Sequence, residues 1–178
     1  MFTKTAVAFL AAAGAASAAP AATDKYFGAV AIHSGTAIHN SGVSASQNSL
    51  WLDHAQDASC DKPNTDFATF YIQDGAAYLY AASATPQQLY IDRSGMGRGK
   101  IGYTTGAEPT PKNAERTGFA VNKNGHLTFD GSDGFYACPS GESYGIWQQA
   151  FSADCIAFAF SAQYTSSPVG CSYSQQGQ

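Results

Sequence analysis

Charged side chains are scarce in this sequence of 178 residues: Lys and Arg number 9, Asp and Glu 13, and the formal net charge is −4. No Lys/Arg cluster exists to neutralise a run of phosphates, so a nucleic-acid partner is not expected. The same lack argues against a polybasic membrane anchor. Close cysteine spacing is missing too. The 4 cysteines include no C-x-x-C pair, which argues against a structural zinc site. None of Asn40, Asn48, Asn64, Asn113, Asn122 and Asn124 opens an Asn-x-Ser/Thr sequon. No window carries the 3.6-residue apolar period over a helical length. After the first residues there is no long apolar run, so no membrane span is expected. The polar end Ser172 to Gln178 does not resemble a lipid-anchor signal.

What is present can build a core: 44% of residues are hydrophobic and 13% aromatic. The first 18 residues read as an address. Lys4 precedes the unbroken apolar run Ala6 to Ala13, and Ala16-Ser17-Ala18 fits the small-x-small cleavage rule. We expect a signal peptide over 1–18, a loose arm over 19–26, one domain over 27–173 and a short tail over 174–178. The protein should then be secreted.

The remainder reads as short strands separated by turn residues. Aromatic or β-branched runs occur at Phe27–His33, Ser49–Leu52, Phe67–Gln73, Ala77–Ala81, Gln88–Asp92, Lys100–Thr104, Gly118–Val121, His126–Phe129, Gly134–Cys138, Ile146–Gln149 and Cys155–Tyr164. Asp74-Gly75 and Asn124-Gly125 are strong hairpin turns, because both residue types tolerate positive φ. The fold class is all-β. A weak repeat sets an aromatic, an aliphatic two residues on, then a turn glycine: Phe70, Ile72, Gly75, and again Phe119, Val121, Gly125. Phe158-Ala-Phe160 opens a third copy. Three such units suggest a β-trefoil, with an antiparallel β-sandwich as the alternative.

Four cysteines in a secreted chain, Cys60, Cys138, Cys155 and Cys171, imply two disulfides and allow three pairings. The pairing we favour is Cys138–Cys155 with Cys60–Cys171. Among other motifs, Gly141-Glu142-Ser143-Tyr144-Gly145 matches G-x-S-x-G, but a nucleophile elbow needs a helix to follow, and a strand-like run follows here. Ser143 reads as a turn residue. His33 and His39, with Asp53 and His54, lack metal-site spacing. The glycine-rich run Asp92 to Lys100 fails both nucleotide-binding patterns, so no cofactor is expected. In it, Arg93 should pair with a carboxylate such as Asp92 or Asp133. Asp130-Gly-Ser-Asp133-Gly134 resembles a calcium loop without the distal Glu. No acid pair stands out for glycoside cleavage. A sugar platform would draw on Trp51, Trp147, Tyr78, Tyr80, Tyr90 and Tyr103. The candidate ligand residues are therefore Arg93, Arg98, Lys100, Trp51 and Trp147.

The stretch from Tyr78 through Thr85-Pro86-Gln87-Gln88 and the glycine-rich loop to Gly106 closely resembles the fungal cell-wall protein PhiA family. So do Ala31-Ile-His-Ser-Gly35, Asp57-Ala-Ser-Cys60-Asp61 and Asp66-Phe-Ala-Thr-Phe-Tyr71. The likeness covers about Phe27 to Tyr173. It implies a secreted wall protein needed for phialide and conidium development, with a role in stress protection and with IgE-reactive relatives. It supplies no catalytic residue and no ligand. The expected partners are cell-wall polysaccharide or wall proteins, and the expected role is non-enzymatic.

Overall fold

Short strands follow one another through the computed structural model, which describes residues 26–63 and 66–176. The expected signal peptide and arm residues 19–25 lie outside the described residues, as do tail residues 177–178. The strands, in chain order, are β1 (Tyr26–Ile32), β2 (Val43–Ser46), β3 (Ser49–Leu52), β4 (Ala58–Cys60), β5 (Thr69–Gln73), β6 (Ala76–Leu79), β7 (Gln87–Asp92) and β8 (Lys100–Thr105). They continue with β9 (Ala114–Glu115), β10 (Phe119–Val121), β11 (His126–Phe129), β12 (Phe135–Ser140), β13 (Ser143–Trp147), β14 (Ile156–Thr165) and β15 (Cys171–Tyr173). Tyr26, assigned to the arm by sequence, opens β1. No helix among the described residues is long and apolar enough to cross a membrane.

Six strands close a ring. β1 pairs β5, β5 pairs β6, β10 pairs β11, β11 pairs β14, and β14 returns to β1. The remaining seam, β6 to β10, is made by the Ala76↔Thr117 bridge and by the amides of Gly118 and Phe119 donating to the Gly75 carbonyl. Three hairpins, β2–β3, β7–β8 and β12–β13, attach to the ring. They meet one another through Ser49↔Gly102, Gly145↔Trp51 and Trp147↔Lys100. The close strand approach at Gly102 admits no side chain: a Cβ there would lie 2.6 Å from the Tyr90 hydroxyl and 2.7 Å from the Asn48 carbonyl.

Alternation directs Phe27, Phe70, Leu79, Phe119, Leu127 and Phe160 inward, where all are buried. Phe70, Phe119 and Phe160, one from each part of the repeat, line one small void with Leu50 and Ile101. Its volume is about 10 Å³, and its walls are apolar, so the centre is dry. Phe158 and Phe160 both pack against Phe135 on β12, at 6.3 and 4.8 Å.

The turns explain what the sequence hid. Asp74-Gly75 has positive φ at both residues, as its type requires. Asn124-Gly125 does not: only Gly125 is positive, and the loop is built on Asn122, whose side-chain oxygen accepts from the Asn124 and His126 amides. Gln47-Asn48 turns the β2–β3 hairpin with φ of 48° and 59°. That pair lacks glycine, and Val43-Ser-Ala-Ser46 is nearly all small residues, so β2 gave no strand signal.

β4 and β15 pair with each other as a separate two-stranded sheet that bonds to β5 and β7. The disulfides are Cys60–Cys171, which joins these two strands, and Cys138–Cys155. Buried Gln87 acts as a backbone substitute: its amide donates to the Tyr173 carbonyl at 2.9 Å, and its oxygen accepts the Tyr173 amide at 2.8 Å. Tyr173's hydroxyl accepts from the Thr69 amide, and buried Tyr103 donates its hydroxyl to the Ser174 carbonyl. The tail continues this contact, since Gln176's amide donates to the Asn48 side chain.

Two tests follow from these bridges and buried phenols. The bridges span 111 and 17 residues, and constraint of the unfolded chain grows with that span. Cys60→Ser/Cys171→Ser should cost more stability than Cys138→Ser/Cys155→Ser, about 4.7 against 3 kcal/mol, read from urea midpoints. Equal losses would refute this. Burial pushes the Tyr173 phenol up to about 12 and the Tyr103 phenol higher still. Both are protonated in either state below pH 10.0, the ordinary phenol value. Stability should hold there and fall as pH rises toward 12, where only the unfolded chain ionises freely. Tyr173→Phe should flatten that alkaline fall while costing about 1 kcal/mol at neutral pH. An unchanged slope would refute the assignment.

Candidate functional site

The β7–β8 loop ties itself. Asp92's carboxylate accepts the Ser94 amide at 2.8 Å, and Ser94's hydroxyl accepts the Gly97 amide at 2.9 Å. Gly99's amide donates to the Asp92 carbonyl. Gly97 must be glycine, because a Cβ would lie 2.1 Å from the Asp92 carboxyl carbon. Gly99's carbonyl in turn accepts the Gln148 amide at 2.8 Å, which docks the loop on the end of β13.

This docking builds a shallow groove of about 500 Å³, lined by Gly95, Met96, Arg98, Trp147 and Phe151. Trp147 and Phe151 meet edge to face at 4.9 Å. Arg98 Nη1 donates to the Phe151 carbonyl, and Lys100 Nζ lies 6.0 Å from the centre of the Trp147 ring. Burial holds the Lys100 ammonium below its ordinary value, against an opposing pull from Asp92. Met96 at the tip is 96% exposed. The arrangement offers aromatic surface beside the Arg98 guanidinium on a fixed frame, with Lys100 near the Trp147 ring. A polar ligand with an apolar face suits it.

Of the five candidate ligand residues, Arg98 and Trp147 line the groove, and Lys100 stands outside the lining near the Trp147 ring. Arg93 is committed elsewhere. Its guanidinium meets Glu115 at 2.8 Å, Asp130 at 3.2 Å, the Gln148 side-chain oxygen and the Phe129 ring face. The anticipated partners, Asp92 and Asp133, are replaced: Asp92 caps the loop and Asp133 takes His126 at 3.1 Å. That His126 hydrogen bond chiefly holds the Asp133 carboxyl below its ordinary value. Trp51 donates its indole N–H to the Ser46 carbonyl and lies tilted against His54 at 5.0 Å, outside the groove lining. Sequence reasoning missed Met96 and Phe151. Phe151 lies beyond β13 in a segment without periodic pattern, and only its 40% exposure singles it out.

The remaining motifs resolve into local contacts. Gly141-Glu142 is the turn of the β12–β13 hairpin, and Ser143 opens β13, so the strand–helix elbow is replaced by a hairpin. Ser143 Oγ lies 3.2 Å from His54 Nδ1, yet it donates to the Asp53 carbonyl at 2.9 Å. Its single proton is thus turned away from the imidazole. His33's amide donates to His39 Nδ1, and no group of three His, Cys, Asp or Glu side chains among the described residues could hold a metal ion. Tyr103 is fully buried, Tyr90 covers Gly102, and Tyr78 and Tyr80 lie on the outer face of the ring.

Fold and surface define a class: an all-β, twice disulfide-bonded domain with a fixed aromatic–cationic groove. A family described as PhiA-like secreted protein matches residues 27–174, and the chain belongs to that family. Its sequence is 49% identical over 174 residues to the cell wall protein phiA of Aspergillus fumigatus, covering 93% of this chain and 94% of that one. It is 44% identical to the cell wall protein phiA of Aspergillus niger, over 90% of this chain and 92% of the relative. The relative from Emericella nidulans is 43% identical over 96% of this chain and 98% of its own length. No solved structure matches. These relationships place the protein among secreted proteins of the fungal cell wall.

The division of labour between the two arginines can be measured. Arg93→Met should lower stability by about 1–2 kcal/mol through lost ion pairs and ring contact, discounted for partly exposed partners. Arg98→Met should stay within about 0.5 kcal/mol. Reversal of that order in urea melts would refute the structural role of Arg93.

Proposed function

We propose that this protein acts in the wall by non-catalytic binding, and that the groove of Arg98 and Trp147, with Lys100 beside it, holds wall polysaccharide. The observation that carries this reading is the groove itself: aromatic surface and the Arg98 guanidinium on a loop with its own hydrogen-bond frame. A pyranose ring presents an apolar face for stacking and hydroxyls for the guanidinium. The wall location gives such a site abundant ligand. On this reading the protein supports asexual development, phialide and conidium formation, and stress protection by strengthening or organising the wall. Family membership supports that developmental part. The ring of six strands with three mutually touching hairpins supports reading the architecture as a β-trefoil.

The Ser143–His54 contact is the one feature that favours an esterase instead. Its hydroxyl donates to a backbone carbonyl, which leaves the imidazole as donor rather than base. We therefore expect no labelling of Ser143 by a fluorophosphonate, and Ser143-dependent labelling would overturn the non-catalytic reading.

The disulfide-intact protein, incubated with purified chitin, β-glucan and mannan, should be retained by at least one polymer and released by free sugar. Arg98→Ala/Lys100→Ala and Trp147→Ala should each weaken retention about tenfold or more, with the melting temperature of the arginine–lysine variant checking the fold. Absence of retention on all three polymers, or retention indifferent to both variants, would overturn the groove assignment.

A further inference from the structure

A second aromatic surface lies on other strands. Tyr26, Tyr71 and Tyr78 are directly opposite one another across β1, β5 and β6, and Tyr80 follows two residues on from Tyr78. Their chain neighbours Phe27, Phe70 and Leu79 face inward, so alternation puts all four tyrosines on the outside of the ring. Tyr71 and Tyr78 are stacked, with centroids 5.1 Å apart and planes 15° apart. Tyr26 lies 5.9 Å from Tyr71 and 4.5 Å from Tyr80. Beside them is a cleft of about 250 Å³, whose walls include Tyr26, Tyr71, Tyr80, Gln73, Ser83 and Pro86.

The chemistry of this cleft differs from that of the groove. Its lining has no carboxylate, ammonium or guanidinium. Burial, then the neighbouring Tyr78 and Tyr26, raises the Tyr71 phenol, so the surface is uncharged at neutral pH. Ring faces supply the floor. The exposed Gln73 amide and the Ser83 hydroxyl, which accepts from the Thr85 amide and keeps its own proton, supply hydrogen bonds. An anion finds no counter-charge here, and an aliphatic peptide finds few apolar side chains to fill against. A chain of neutral sugars, with alternating C–H faces and hydroxyl edges, satisfies both kinds of group. No residue lines both cleft and groove.

We infer that the tyrosine cleft is a second, charge-independent binding site for a neutral polysaccharide, which makes the protein bivalent. This rests on the reading that the protein contacts wall polysaccharide. Two sites on one rigid domain can bridge neighbouring chains, and joint engagement strengthens retention without any new contact.

The test uses the full disulfide-bonded protein and soluble chitin and β-glucan oligosaccharides, titrated by calorimetry at low and high salt. Trp147→Ala should keep binding that is insensitive to salt. Tyr71→Ser/Tyr80→Ser should lose that component by about tenfold or more and keep the groove's own binding. Tyr71→Phe/Tyr80→Phe keeps the rings and should fall between, which covers a folding defect in the serine variant. If the serine variant, folded by its melting curve, binds as wild type does, the second site is overturned and the groove reading stands. If Trp147→Ala abolishes all binding while remaining folded, the second site is likewise overturned. If the tyrosine variants alone abolish binding, the cleft stands and the groove assignment falls.

Discussion

The pairing of β1 with β14 is the constraint on which the rest of the molecule depends. Seven residue pairs, from Tyr26↔Thr165 to Ile32↔Ala159, join the first described strand to the last long one. Without them the strands would form an open sheet with a bare edge at each end. With them, β1 holds β5 on one side and β14 holds β11 and β12 on the other, and the inward side chains have an enclosed space to fill. The phenylalanines at 70, 119 and 160 can share one centre only because this seam is shut.

Everything outside the ring inherits its rigidity. The three hairpins stand where they do because each is rooted in a ring strand, and their mutual contacts fix the end of β13. That end carries Trp147 and receives the β7–β8 loop through Gln148. A site on a loop is usually mobile. Here Asp92 and Ser94 replace solvent as partners of the loop amides, while Arg93 bridges Glu115 and Asp130 beneath it. The half-buried Arg93 ties the frame, while Arg98, five residues on, is exposed at the groove.

Much of this could be read from the residues before any coordinates. Strand positions followed from β-branched and aromatic runs, the Asp74-Gly75 turn from its dipeptide, and the two disulfides from an even cysteine count, with the favoured pairing being the one found. Of the residues named as ligand candidates, Arg98 and Trp147 line one groove. What stayed hidden depends on distance along the chain. Arg93 finds Glu115 and Asp130, 22 and 37 residues away, and no local pattern points to either. The β2–β3 hairpin hid because Gln47 and Asn48 adopt positive φ without glycine. Tyr78 and Tyr80 were legible as platform aromatics, but Tyr26 and Tyr71 meet them only through sheet register.

Ring closure also sets an order of events. Tyr26 is among the first of the described residues to be synthesised and Thr165 among the last, so the seam cannot form until nearly the whole chain is available. The Cys60–Cys171 bridge obeys the same schedule. During synthesis the chain has early hairpins but no sealed interior. For an exported protein, closure of the seam waits on Thr165 and closure of the bridge waits on Cys171 and on an oxidising compartment.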